Sequence, residues 1–275
     1  MKSILITGSN GYIGTNLVGY LRKDEYKIFG IDKATGTPAE FLDRIKGNCD
    51  CIVHLAALSG IQACEDDLVM AIRDNLSSAF NIFSLASYKN IPVVFLSSQA
   101  AKEPKSSIYA MMKHIIEVQA RTMNSEYIAN IKVLRLTNVY GGVDYLVKKN
   151  TVVKKFIEAY KKGYPLIVDG NGDQTRDFIH VDDVCEYIRK CIEISATLLY
   201  RPVDIGTGVQ TSINDMVKMF NTENVQYDIS SRTVGVSTNV ADTERAFKIF
   251  GYRPENKLQK YINEEIKKKG IKDNV

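Results

Sequence analysis

Gly8, Gly11 and Gly14 stand at a Gly-x-x-Gly-x-x-Gly spacing within Thr7-Gly8-Ser9-Asn10-Gly11-Tyr12-Ile13-Gly14, between a short apolar run and a stretch with helical spacing. Glycines placed there permit a tight turn, a close approach of backbone to a pyrophosphate, and close helix–strand packing. The helix that follows offers unpaired N–H groups and a positive dipole end to the phosphates. Asp32 closes the next apolar run, eighteen residues past Gly14, where a carboxylate accepts hydrogen bonds from ribose hydroxyls. The pattern predicts a dinucleotide held by Gly8, Asn10, Gly11, Tyr12, Ile13, Gly14 and Asp32. A carboxylate at Asp32 favours a free 2′-hydroxyl and so NAD over NADP, while the neighbouring Lys33 partly offsets its repulsion of a 2′-phosphate.

A second set of residues suits proton transfer. The run Val93 to Leu96 leads into Ser97-Ser98, and eleven residues beyond Ser98 the segment Tyr109-Ala110-Met111-Met112-Lys113 places a phenol and an ammonium at i and i+4 on one helix face. A positive charge beside the phenol is expected to lower its pKa and make Tyr109 a proton donor and acceptor near neutrality. Tyr145 to Lys149 repeats this spacing but falls where the α/β alternation loosens, and is read as a solvated helix turn. His54, inside an apolar run, is expected to be a core histidine, and His114 should point about 100° away from the Tyr109 face.

Short β-rich runs alternate with helical stretches along the chain, the mark of a parallel sheet covered on both faces. Six strands are expected at Ser3 to Thr7, Lys27 to Ile31, Cys51 to Leu55, Val93 to Leu96, Lys132 to Leu136 and Val203 to Ile205. Helices are expected at Tyr12 to Lys23, Pro38 to Lys46, Leu68 to Lys89, Ile108 to Asn124 and Val181 to Ile194. Asp50 follows Asp32 by only eighteen positions, so the sheet should lack one crossover strand and leave the adenine side open. The expected fold is α/β, a Rossmann-type doubly wound parallel sheet formed by 1–141 and 177–206, with a small discontinuous lobe formed by 142–176 and 207–275.

Composition excludes several classes. With 45% hydrophobic and 25% charged residues among 275, the chain is neither disordered nor collagen-like. No apolar run reaches the roughly 18 residues a membrane helix needs. The apolar start at Ile4-Leu5-Ile6 is too short for a signal-peptide core, so a cytoplasmic location without a membrane partner is expected. Five cysteines with no Cys-x-x-Cys pair suggest reduced, packed thiols and no metal site. The net charge of +4 sits in lysine clusters without interleaved stacking aromatics, so no nucleic-acid partner is expected.

Further segments join these sets: His54-Leu55-Ala56-Ala57, Asn75, Arg135-Leu136-Thr137-Asn138-Val139-Tyr140-Gly141, and Gly172-Asp173-Gln174-Thr175-Arg176-Asp177-Phe178-Ile179-His180-Val181-Asp182-Asp183. Nearly end to end, the chain resembles the extended short-chain dehydrogenase/reductase family, in its nucleotide-sugar epimerase/dehydratase branch. The resemblance implies that Tyr109 is the acid/base, that Ser98 bonds the same substrate oxygen, and that Lys113 holds the nicotinamide ribose. It adds Leu55, Ala56, Ala57 and Asn75 on the cofactor side. On the substrate side it adds Asn138 at the phosphate or sugar, with Arg176 and Arg232 at the diphosphate, where two guanidiniums can make bidentate bonds.

The implied reaction is reversible hydride transfer at C4 of a nucleoside-diphosphate sugar, with NAD as a recycled cofactor, and the implied setting is a cell-surface polysaccharide precursor. The alternatives are an NAD(P)H-dependent 4-keto-sugar-nucleotide reductase, and a non-catalytic dinucleotide-sensing or nucleic-acid-binding protein on the same fold. Gln99-Ala100 stands where the family's dehydratases carry Asp-Glu, which argues against dehydration, and the segment between Ser98 and Tyr109 is shorter than usual. The resemblance also implies a homodimer through Leu68 to Lys89 and Ile108 to Asn124.

Overall fold

The computed structural model describes residues 1–24, 26–33, 49–143, 151–194, 201–230 and 238–268. The first half alternates β1 (Ser3–Thr7), α1 (Tyr12–Leu21), β2 (Lys27–Ile31), β3 (Cys51–His54), α2 (Ile61–Asp66) and α3 (Leu68–Ala71). A π-helical segment, Ile72–Ser77, joins α3 to α4 (Ser78–Tyr88), and β4 (Val93–Ser98), a 3₁₀ turn (Gln99–Lys102), α5 (Ile108–Glu126) and β5 (Ile131–Leu136) follow. With β10 (Val203–Ile205), the strands form one sheet in the order β10-β5-β4-β3-β1-β2, every pair parallel. All six are the expected strands. The lost strand and the Pro38 to Lys46 helix expected after Asp32 concern residues outside those described.

Period-two alternation divides the strand residues between two cores. Ile4, Ile6, Val94, Leu96 and Leu134 pack on one face with Leu17 and Leu21 of α1 and with Val184 and Ile188 of α7 (Val181–Glu193). Leu5, Ile52, Val93, Phe95 and Val133 pack on the other with Phe83 of α4 and Ile116 of α5. Each fully buried side chain of this size contributes about 1.5–3 kcal/mol of burial, so a slip of one residue that exchanged the faces would forfeit both cores.

Past Leu136 come β6 (Asn138–Tyr140), α6 (Val152–Lys162), β7 (Leu166–Asp169), β8 (Thr175–Arg176) and β9 (Phe178–His180). After β10 the chain continues through β11 (Thr211–Ser212), α8 (Ile213–Lys218), β12 (Val225–Asp228), β13 (Thr238–Asn239), α9 (Thr243–Phe250) and α10 (Leu258–Lys267). The sequence reading missed most of these strands, because two to four residues are too few to show a period. A third core gathers Phe156, Leu166, Phe178, Met216, Phe220 and Ile262. Helix α9 instead places Ala246 and Phe250 against the first core.

The helix expected over Leu68 to Lys89 is broken by its π-helical turn, which apolar spacing alone does not reveal. At that turn Asn75 is buried, and both ends of its side-chain amide bond the backbone of Leu58.

Candidate active site

A cleft of about 1190 Å³ opens at the carboxyl ends of the parallel strands, lined by the glycine loop, Asp32, Ala56, Ser98, Tyr109, Lys113, Asn138 and Arg176 among others. Its floor is backbone. Gly8 has φ +69°, and a Cβ there would lie 2.7 Å from Ala56 N. A Cβ at Gly14 would lie 2.1 Å from Gly8 O, so only glycine lets α1 pack this closely on the turn. The N-cap position of α1 is Gly11, which has no side chain to cap the helix, as suits a phosphate cradle. Asn10 N donates to Asp32 Oδ2 at 3.2 Å, and Tyr12 Oη donates to Gly141 O at 2.6 Å, tying the loop to β2 and to the end of β6.

Ser98 ends β4 and accepts from Ala100 N at 3.2 Å to start the 3₁₀ turn. Ser107 caps α5 through Ala110 N, so Tyr109 lies in its first turn, hydrogen-bonded to Ser98. Lys113 is only 4% exposed, donates from Nζ to Leu96 O at 2.9 Å, and lies 5.8 Å from the Tyr109 ring centroid. The expected lowering of the phenol pKa is not found: burial pushes Tyr109 up to about 12, against a partial lowering by the Ser98 bond. The reason is enclosure, which disfavours a phenolate more than the neighbouring groups favour it.

Behind these groups lies a buried charge cluster that the sequence reading missed. Glu117, four residues past Lys113 on α5, accepts from Ser97 Oγ at 2.6 Å, Arg135 Nε at 2.8 Å and an Arg135 terminal nitrogen at 2.6 Å. Asp204 accepts from Lys102 and from Asp242 N, and lies 3.8 Å from Arg135. The signal was present as a third polar residue, at i+8 from Tyr109, on a face that otherwise ought to be apolar.

Of the residues singled out in the sequence, Leu55, Ala56, Ala57, Lys33, Asn138 and Arg176 all line the cleft. Asn138 keeps a buried amide nitrogen without a hydrogen-bond partner, and burial lowers the pKa of the Arg176 guanidinium. Asn75 does not line the cleft; placed on the cofactor side by resemblance, it instead pins the loop after β3 through Leu58. Arg232 lies outside the described residues, as does Tyr145 to Lys149. Beside Arg176, Asp177 collects Thr207 N, Thr207 Oγ1, Gly208 N and Ala241 N, fixing the crossing from β10 to the segments that follow.

His54 is 2% exposed, lies 2.7 Å from Thr7 Oγ1 through Nδ1, and is pushed by burial down to about 3, which makes it a neutral core histidine. His114 turns away to Ala101 O at 3.0 Å, as expected. Asp74, Ser78, Asn81 and Ile82 line the cleft from the π-helical turn and α4, and the start of α6 adds Thr151 and Val152. No motif spacing marks them.

A dinucleotide-type glycine turn and a Ser-Tyr-Lys set, together at the carboxyl ends of one parallel sheet, define a short-chain dehydrogenase/reductase of the extended type. Residues 4–206 match the NAD dependent epimerase/dehydratase family, and the chain belongs to it. Its cofactor is accordingly NAD, and the glycine cradle, the uncapped α1 and Asp32 fit that group. The chain is 27% identical over 279 residues to GDP-6-deoxy-D-talose 4-dehydrogenase of Aggregatibacter actinomycetemcomitans, covering 90% of this chain and 91% of the relative. It is 21% identical over 314 residues to UDP-glucuronate 4-epimerase of Thermodesulfobacterium geofontis, covering 97% and 95%. Among solved structures it is similar to UDP-glucuronic acid 4-epimerase from Bacillus cereus in complex with UDP-glucuronic acid and NAD, with a TM-score of 0.83, 21% identity and coverage of 96% and 98%.

Proposed function

We propose that the protein is an NAD-dependent nucleotide-sugar 4-epimerase, a reading carried by the Ser98–Tyr109–Lys113 set in one cleft with the glycine cradle and Arg176. When bound, NAD supplies the acceptor and donor of hydride for the sugar carbon. Tyr109 takes the proton of the 4-hydroxyl and returns it to the ketone oxygen, while Ser98 holds that oxygen in line. Lys113 orients the cofactor ribose and sets its positive charge beside the phenol, stabilising the phenolate when the proton leaves. Asn138 and Arg176, with Arg232, bind the sugar and diphosphate. In this reading 1–141 and 177–206 hold the cofactor, and 142–176 and 207–275 enclose the sugar nucleotide.

A homodimer belongs to the same proposal, supported by the exposed Val69, Ile72, Phe80, Met111, Ile115 and Val118 on the helices from α3 to α5. So does a place in the cytoplasm, supported by five free, buried cysteines, and a role in supplying cell-surface polysaccharide precursors. One observation favours the alternative 4-ketoreductase: a phenol raised to about 12 is protonated at neutral pH and ready to donate to a ketone.

The test quantifies NAD(H) released by acid from freshly purified protein, then follows epimerisation of UDP-glucose, UDP-N-acetylglucosamine and UDP-glucuronate without added cofactor. Near-stoichiometric NAD and turnover support the epimerase, whereas an empty site with turnover only of a 4-keto sugar nucleotide plus NADH or NADPH supports the reductase. Tyr109→Phe is expected to lower turnover by about 10²–10⁴-fold with NAD still bound. Turnover that persists in this variant overturns the assigned acid/base.

A further inference from the structure

The end of the cleft beside β2 carries an arrangement of charge that the reaction itself does not need. Asp32 and Lys33 follow β2, and Asp74 lines the same cleft from the π-helical segment. Lys33 Nζ donates to Asp74 Oδ2 at 3.1 Å, and Arg73 Nε donates to Asp74 Oδ1 at 2.8 Å. The Asp74 side chain is 17% exposed, while those of Lys33 and Arg73 are 74% and 65% exposed, so the carboxylate is the fixed member and the cations close over it. A π-helical turn fits this use, because such single wide turns recur at functional sites. Here two consecutive residues are put to different ends, Asn75 holding the Leu58 loop and Asp74 reaching the cleft.

Among the described residues the cations lining the cleft are Lys33, Lys113 and Arg176. Lys113 is bound to β4 beside Tyr109, and Arg176 belongs to β8. Among the described residues, Lys33 is therefore the cleft-lining cation at the Asp32 end. A 2′-phosphate carries close to two negative charges and needs an ammonium or guanidinium partner. To recruit Lys33 it must displace Asp74 while facing both carboxylates, whereas the neutral 2′-hydroxyl of NAD meets no such competition.

We propose that Asp74 is a cofactor-selecting residue, which discriminates against NADP by holding Lys33 in an ion pair at the ribose end of the cleft. The proposal goes beyond the epimerase reading and does not depend on which sugar is turned over. Both cations of the pair are mostly exposed, so the contact can be removed without unfolding the protein.

The experiment is fluorescence titration of the full chain, freed of co-purifying nucleotide, with NADH and with NADPH. Asp74→Asn is expected to reduce the preference for NADH by about tenfold through tighter NADPH binding, leaving NADH affinity within about twofold of the unaltered protein. Asp74→Ser should do the same, which guards against an asparagine that seats badly. Adding Lys33→Gln to Asp74→Asn should abolish the gain, and raising the salt should shrink it. A preference unchanged in both Asp74 variants overturns the proposal. A gain that survives the loss of Lys33 also overturns it, because Arg73 or the removal of one negative charge would then be the cause.

Discussion

Lys113 and Lys132 are both buried, 4% and 1% exposed, and both donate to main-chain carbonyls, yet they stand at opposite edges of one sheet. Lys113 reaches Leu96 O near the carboxyl end of β4 and shares its cleft with Tyr109 and Ser98. Lys132, near the amino end of β5, donates to Cys191 O at 2.8 Å and Ile194 O at 2.6 Å, capping the last turn of α7, where a cation also meets the negative end of the helix dipole. Burial alone therefore does not mark function. What separates the two lysines is access to the cleft and a titratable partner, and open parallel sheets place those at the carboxyl edge. The amino edge uses the same chemistry for packing.

The largest effect should come from the charge cluster that backs the carboxyl edge. Tyr109, Lys113 and Glu117 follow one another at i, i+4 and i+8, so the bonds of Glu117 to Ser97 and Arg135 set the rotation and slide of α5 against β4 and β5. Glu117→Gln leaves the half-buried Arg135 without its full counter-charge. It is expected to cost about 3 kcal/mol of stability, and to lower kcat by about 10–100-fold through misplacement of Tyr109 with KM little changed. Urea unfolding and steady-state kinetics on the same samples check both numbers. A normal kcat in the destabilised variant would show that the cluster only holds the fold together.

Lys132→Met probes the amino edge with the next largest effect. Two carbonyls lose their donor, and stability should fall by about 1–3 kcal/mol. At about 2–4 °C per kcal/mol that is a readable shift in Tm, with turnover unchanged. A loss of turnover matching that of Glu117→Gln would erase the distinction between the edges.

The two edges also differ in how much of them could be read from the chain. The glycine turn, Asp32 and the Tyr109–Lys113 pair are local patterns in which spacing dictates geometry, and the structure brings them into one cleft. Central strands such as β3 and β4 were legible as unbroken apolar runs because both of their faces are covered. Lys132 was invisible, since one lysine in a strand reads as a solvent-facing residue until the helix end above it is known. Asp177 and Asp204 bind partners thirty or more residues away, beyond the reach of any local pattern. The pKa of Tyr109 was misread for the same reason: the positive neighbour is encoded four residues away, whereas the enclosure comes from the packing of distant elements.

His54 sharpens the comparison with the smallest effect, because it lines the cleft at the carboxyl edge yet is held neutral by burial. Burial pushes its imidazole down to about 3 from the ordinary 6.5, so the folded protein keeps it neutral at any pH at which an enzyme of this class is assayed. Below 6.5 the unfolded chain takes up a proton that the folded chain refuses. Stability is therefore fully present above 6.5 and falls as the pH drops toward 3. His54→Gln is expected to flatten that acid slope, by about 1 kcal/mol at pH 5.5 relative to the slope of the unaltered protein. His180, also lowered by burial, would leave a residual slope of the same sign. Unfolding free energies between pH 5 and 8 decide the first part, and the kcat profile decides the second: a limb near 6.5 that vanishes in His54→Gln would make this residue a participant in the proton transfer assigned to Tyr109.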